Sequence, residues 1–240
     1  MEIVDPNKAF FIVIEGMDGV GKTEIARVLS NRLGEYHKKR IYLTHEPYGD
    51  FGDTSDGSYN LIQLIREGRL ALPKRTQAMI FAVNRLVHCE EMIKPSLEDY
   101  AKNDQEPIVI CDRYIMSSLA YQSDENLSME EIYEMNNQAI RPNMTFVLCR
   151  TREQINDAMD KRKKHMLAFG VKLEDRFESS FHYDDMVERY FAVIAFMLGK
   201  GEDIFILDPE SNTTVDGAVE HILWYLHKYG PEWLLPKEAK

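Results

Sequence analysis

Three observations predict an α/β fold, a mostly parallel sheet covered by helices on both faces. Short apolar runs of strand type recur along the chain, at Phe10–Ile14, Ile41–Thr44, Pro107–Asp112, Thr145–Cys149 and Ile204–Asp208. Segments with apolar residues at helical spacing separate these runs, the alternation expected of a parallel sheet wrapped by crossover helices. The first run leads directly into Gly16-x-x-x-x-Gly21-Lys22-Thr23 and then a helix-forming segment, the spacing and context of a phosphate-cradling loop. At 240 residues the chain fits a single domain, 1–240, with room for an inserted lid.

In such a loop, Gly16, Gly19 and Gly21 let backbone N–H groups converge on phosphate oxygens, and the following helix adds its positive N-terminal field. Lys22 can reach the β- and γ-phosphates, and the Thr23 hydroxyl can serve Mg²⁺; Asp18, Val20 and Glu24 complete the expected ATP-binding stretch. Ile25, Val28, Leu29 and Leu33 give the first helix, 24–36, its core side. After the second strand come His45-Glu46-Pro47 and a Gly-, Asp- and Ser-rich loop from Tyr48 to Ser58, at the edge of a site. A short helix spans Leu61–Arg69, stopped near Gly68.

Residues 74–94 form a long helix. At 100° per residue Met79, Ile80, Ala82, Val83, Leu86, Val87 and Ile93 share one broad apolar face, which is expected to point into the core. Phe81, Arg85 and His88 fall on the opposite side, as surface decoration or as a ligand-binding set. The third strand ends in Asp112, where a phosphate-loop enzyme places a Mg²⁺-organising carboxylate; capping of the next turn is the simpler role. Ser117 is expected to cap the helix that carries Ser118, Tyr121 and Gln122. A further helix covers Ser128–Ile140, and helical stretches at 152–166 and 178–198 lie between the fourth and fifth strands. Lys161-Arg162-Lys163-Lys164 in the first of these is either a solvated face or a cationic lid. The last helix covers 214–228, and Trp233-Leu-Leu235 reads as a docked tail. Glu15, Glu46 and Asp112 all follow or end strands, so they should gather with the phosphate loop at the carboxyl edge of the sheet.

The balance of 29 basic against 40 acidic residues, a net charge of −11, argues against nucleic-acid or anionic-membrane partners. Cys89, Cys111 and Cys149 lack metal-ligand spacing and suit a reducing compartment. With no membrane-length apolar run and an acidic start unlike a signal peptide, a cytoplasmic location is expected.

From about residue 9 to residue 228 the chain resembles the thymidylate kinase family of nucleoside-monophosphate kinases. Four motifs carry the resemblance: Glu15-Gly-x-Asp18-Gly-x-Gly-Lys-Thr23, Phe81-x-x-x-Arg85, Asp112-Arg-Tyr-x-x-Ser-x-x-Ala-Tyr-Gln122 and Arg141-Pro-Asn-x-Thr. It implies a three-layer phosphate-loop kinase fold, a five-stranded parallel sheet flanked by helices, with a helical lid near 160–176. It also implies ATP with Mg²⁺ as donor system, dTMP as acceptor and a homodimer. By the same resemblance Phe81 stacks on the thymine, Arg85 hydrogen-bonds the base, and Arg113 holds the acceptor phosphate. Asp18 meets the 3′-hydroxyl, Tyr121 packs against the sugar, and Ser118 and Gln122 stand near the base edge, with Glu46, Pro47, Phe177 and Glu178 in the same acceptor set. Thr23 and Asp112 are the metal-side residues.

The loop stretch Asp18-Gly19-Val20 holds no arginine, so the chain is similar to the form whose catalytic arginine comes from the lid. Arg162 aligns with it, Arg176 matches a second, and Lys22 and Arg113 complete the catalytic set. Glu24, Met116 and the missing arginine before Glu46 depart from the family pattern and bear on thymine selectivity. The expected reaction is γ-phosphoryl transfer from ATP to dTMP, for dTTP synthesis. A broader deoxynucleoside-monophosphate kinase, a deoxynucleoside kinase using Glu46 as base, and a slowly hydrolysing switch protein are the alternatives.

Overall fold

A computed structural model of the chain describes residues 4–37, 41–49, 57–99, 106–157, 183–208 and 214–235. Five strands form one all-parallel sheet: β1 (Phe10–Gly16), β2 (Ile41–His45), β3 (Ile108–Asp112), β4 (Met144–Leu148) and β5 (Ile204–Leu207). Their spatial order is β2-β3-β1-β4-β5, so β1 and its phosphate loop lie at the centre. Ile12 pairs with Ile110 on one side and Met144 on the other. Both strand ends therefore deliver their following loops beside Gly16.

Side chains alternate across the pleat and build a core on each face. Phe11, Val13, Val109, Cys111 and Val147 face one layer of helices. This layer holds α3 (Lys74–His88), α5 (Ile115–Gln122), α6 (Met129–Met135) and α7 (Tyr183–Gly199). Phe10, Ile12, Ile14, Ile110 and Phe146 face the other, α1 (Lys22–His37) and α8 (Val215–Tyr229). Each fully buried Ile or Phe contributes roughly 1.5–3 kcal/mol, which makes the central strands the most stable part of the sheet. α2 (Gly57–Arg66) starts four residues earlier than the sequence suggests and packs on α3. The tail docks as expected: Leu234 is fully buried and the Trp233 indole donates to the Pro6 carbonyl at 2.8 Å.

Two expectations are corrected. α3 does not turn its apolar face inward. Met79 and Val83 are exposed, while Ala78, Asn84, Arg85 and His88 are buried. The helix passes through a π turn, Cys89–Ile93, into α4 (Lys94–Leu97), and the wider turn changes the phase, so Ile93 and Leu97 still reach the core. Periodicity separates two faces but does not say which faces the sheet. Here the buried Glu46 carboxylate at the end of β2 draws Arg85 and His88 inward. Ser117 likewise does not cap α5, whose cap position is Tyr114 with no side-chain bond; Ser117 is a ligand of Glu15 instead.

Candidate active site

The phosphate loop is shaped by what β1 must pass. Gly16 has φ +139°, and a Cβ on it would stand 2.6 Å from the Leu148 carbonyl oxygen of β4. Only glycine fits there. Lys22 opens α1 almost fully buried, its ammonium donating to the Met17 carbonyl at 2.7 Å and standing 3.9 Å from Asp18. Burial, and then the charge of Arg113, lower its pKa, while Asp18, Asp112 and Glu15 pull it the other way. The Thr23 hydroxyl donates to Asp112 Oδ2, and the buried Asp112 Oδ1 has no hydrogen-bond partner among the described residues.

A second loop, after β3, is organised by Glu15. This carboxylate is fully buried and accepts from the Tyr114 N–H at 2.7 Å, the Ser117 N–H at 3.0 Å and the Ser117 hydroxyl at 2.9 Å. Desolvation raises its pKa, against the lowering pull of Arg113 and these bonds. The turn it holds places Arg113 at φ +70°, an uncommon backbone for a non-glycine residue. From there Arg113 reaches Asp18 of the phosphate loop and the Ser117 hydroxyl. Its guanidinium lies 5.6 Å from the Tyr121 ring centroid, and the Tyr121 hydroxyl donates to Asp18 at 3.4 Å.

The third wall is a buried polar network. Arg85 gives Nε and Nη2 to Glu46, Nη1 to Asn136 at 2.6 Å, and Nη2 also to the Tyr114 carbonyl and the Ser118 hydroxyl. His88 joins Glu46 to Thr44 through its two ring nitrogens, at 3.3 and 2.8 Å, and the Tyr48 ring stacks on it at 4.5 Å. Asn84 clamps both backbone groups of Tyr48 at 2.8 Å. The strap from Glu46 to Gly49, with a cis Glu46–Pro47 bond, is thereby pinned to α3.

These walls enclose a cleft of about 780 Å³. Of the sequence-predicted residues, Asp18, Gly19, Gly21, Lys22, Thr23 and Glu24 line it from the loop, and Glu46, Pro47, Phe81, Arg85, Asp112, Arg113, Ser118, Tyr121 and Gln122 line the remainder. Val20 is not among them, because its side chain packs in the core beneath α1. Gln122 is nearly fully buried with Oε1 unpartnered among the described residues. Arg162, Arg176, Phe177 and Glu178 lie outside the described residues. Sequence reasoning missed Arg66, Tyr59 and Gly49 as cleft-lining groups, and Asn84 and Asn136 as its scaffolding. A basic residue in the last turn of a helix after the Tyr48–Ser58 loop was the available signal for Arg66. Among the described residues no cluster of His, Cys, Asp and Glu forms a metal-binding group by itself.

Comparison with known proteins adds to this geometry. The family model described as "Thymidylate kinase" matches residues 14–214. A "Probable thymidylate kinase" of Staphylothermus marinus is 37% identical over 143 residues, covering 59% of this chain and 64% of that protein. A "Thymidylate kinase" of Leuconostoc mesenteroides is 32% identical over 182 residues, covering 71% of this chain and 81% of that protein. The chain spans just under two thirds of several such relatives, 64–65% of their length. A solved thymidylate kinase structure from Ehrlichia chaffeensis superposes with a TM-score of 0.60 at 21% identity, covering 92% of this chain and 99% of that one, a likeness of fold.

Proposed function

The chain belongs to the thymidylate kinase family, and on that premise we propose that it transfers the γ-phosphoryl group of ATP to dTMP, giving dTDP and ADP. The observation that carries this reading is the junction of two subsites in one cleft: Asp18 of the phosphate loop is bonded to Arg113 and Tyr121 of the acceptor wall. A nucleotide switch needs no second wall of this kind. In this reading the dTMP base lies between Phe81 and the Gln122–Ser118 edge, with Arg85 held behind it, and the acceptor phosphate meets Arg113. The acceptor phosphate is already nucleophilic, so the residues contribute positioning and charge neutralisation rather than proton transfer. Lys22, whose ammonium donates to the Met17 carbonyl here, would turn to the transferred group when ATP binds.

The site fits a divalent cation: the orphaned, buried Asp112 Oδ1 beside the Thr23 hydroxyl is a hard oxygen set suited to Mg²⁺. When bound with ATP, Mg²⁺ supplies neutralisation of the β- and γ-phosphate charge. Arg162 and Arg176 are the proposed lid cations, a reading supported by the lack of arginine in Asp18–Val20. The outward apolar face of α3, with Met79 and Val83 exposed, supports a homodimer through that face. The described cysteines are all unpaired, in keeping with a cytoplasmic enzyme, and among the described residues no helix is long and apolar enough to cross a membrane.

An ADP-release assay across a panel of nucleosides and nucleoside monophosphates tests the proposal. ADP release that depends on dTMP is the expected result. Release driven by thymidine would identify a nucleoside kinase, and release indifferent to any acceptor would sink the transferase reading altogether.

A further inference from the structure

The acceptor cleft lies on the β3 side of β1. On the other side β4 ends at Leu148, and the chain passes through Cys149 and Arg150 beside the phosphate loop. Arg150 lies against Gly21: a Cβ built on that glycine would come within 3.8 Å of the Arg150 Nη2. Its backbone is tied down by the Tyr183 hydroxyl at the start of α7, which donates to the Arg150 carbonyl at 2.7 Å. The side chain is only partly exposed, yet among the described residues no hydrogen bond or ion pair engages its guanidinium.

That is unusual in a chain with 40 acidic residues. Arg27, Arg85, Arg113, Arg141 and the nearby Arg152 each reach a carboxylate. Burial lowers the Arg150 pKa, and among the described residues no acidic neighbour raises it back. A cation partly withdrawn from water without a counter-charge is costly unless an anion arrives. The adjacent loop N–H groups and the N-terminus of α1 already favour an anion at this place.

We propose that Arg150 is a donor-nucleotide contact, its guanidinium pairing with the phosphate chain of ATP from the β4 side of the loop. Arg113, after β3, and Arg150, after β4, then flank the loop from its two sides, one serving the acceptor and the other the donor. The identity of the donor rests on the kinase reading above; the pairing itself requires only that the loop bind an adenine nucleotide.

The test is equilibrium binding of ADP and of adenosine, without acceptor, to the full-length wild type, Arg150→Ala and Arg150→Lys. ADP affinity of Arg150→Ala should fall about tenfold or more, the size of a charge-assisted contact. Adenosine affinity should be unchanged, and Arg150→Lys should recover part of the loss, since lysine keeps the charge without the fork. In turnover the KM for ATP should rise while that for dTMP holds. The melting temperature of nucleotide-free Arg150→Ala should not fall, because no hydrogen bond or ion pair of its guanidinium is removed among the described residues. Unchanged ADP affinity overturns the proposal, and so does an equal loss for adenosine and ADP. If the wild type binds ADP but does not phosphorylate dTMP, the kinase reading fails while the binding experiment still decides the role of Arg150.

Discussion

Arg85 shows how a residue can be recognised for one property and held in place by another. The resemblance of Phe81-x-x-x-Arg85 to a family motif implies a base-side role for Arg85, but every nitrogen it owns is engaged by Glu46, Asn136, Ser118 or the Tyr114 carbonyl. Removing it would leave the Glu46 carboxylate buried beside His88 alone. Arg85→Met should therefore lower unfolding stability by about 3–5 kcal/mol, measured by urea denaturation, besides weakening dTMP. Phe81 is different, since it lines the cleft without holding a network together. Phe81→Ala should raise the KM for dTMP roughly tenfold, the loss of one base–aromatic stack, and leave the KM for ATP nearly unchanged. Steady-state kinetics with each substrate varied would reveal an equal effect on both, which would contradict its place on the acceptor side.

At the scale of elements, the phosphate loop depends on β4 as much as on its own glycines. Gly16→Ala would drive a methyl into the Leu148 carbonyl and strain a backbone at φ +139°. A loss of about 3 kcal/mol in unfolding free energy is expected, together with loss of nucleotide binding. The cap of α6 offers a pH test. Ser128 and Glu131 form a reciprocal capping box, and Arg75 also pairs with Glu131. The Arg75 bond, then those of Ser128, hold the Glu131 carboxyl at about 2, down from 4.5. A depressed carboxyl pKa stabilises the fold above the unfolded value, and that stability is lost as pH falls through the folded value. Glu131→Ala should thus melt below the wild type near neutrality, and the gap should narrow between pH 4.5 and about 2. Thermal melts across that range would check it; a gap constant with pH would rule out the ionised cap.

For the whole molecule, turning Arg85 and His88 inward leaves Met79 and Val83 of α3 exposed among the described residues. If a second copy covers them, as proposed, Val83→Glu should convert a dimer to a monomer in sedimentation velocity. A variant that sediments as the wild type does would remove α3 from the interface. The placement of Asp112 and Thr23 makes a second prediction at this scale. Excess chelator should abolish dTMP-dependent ADP release, and added Mg²⁺ should restore it.

Much was written locally. The apolar strand runs, the phosphate loop and the α/β class follow from short motifs and periodicity, because a glycine pattern or a buried strand needs no distant information; Phe81, Arg85, Arg113, Ser118, Tyr121 and Gln122 were singled out by the resemblance to a family. The orientation of α3 did not follow, because 3.6-residue periodicity is blind to which face a buried carboxylate on another element will claim. Nor did the work of Glu15, whose partners Tyr114 and Ser117 lie about a hundred residues away and meet it only when β3 pairs beside β1. Arg150, unpaired among the described residues, likewise exists as a feature only once β4 has been laid against the phosphate loop. Sequence alone determined the chemistry that the loop can perform. Tertiary structure decided which charges of the described residues are neutralised within the protein and which are not, because pairing and burial depend on distances that only the folded sheet creates.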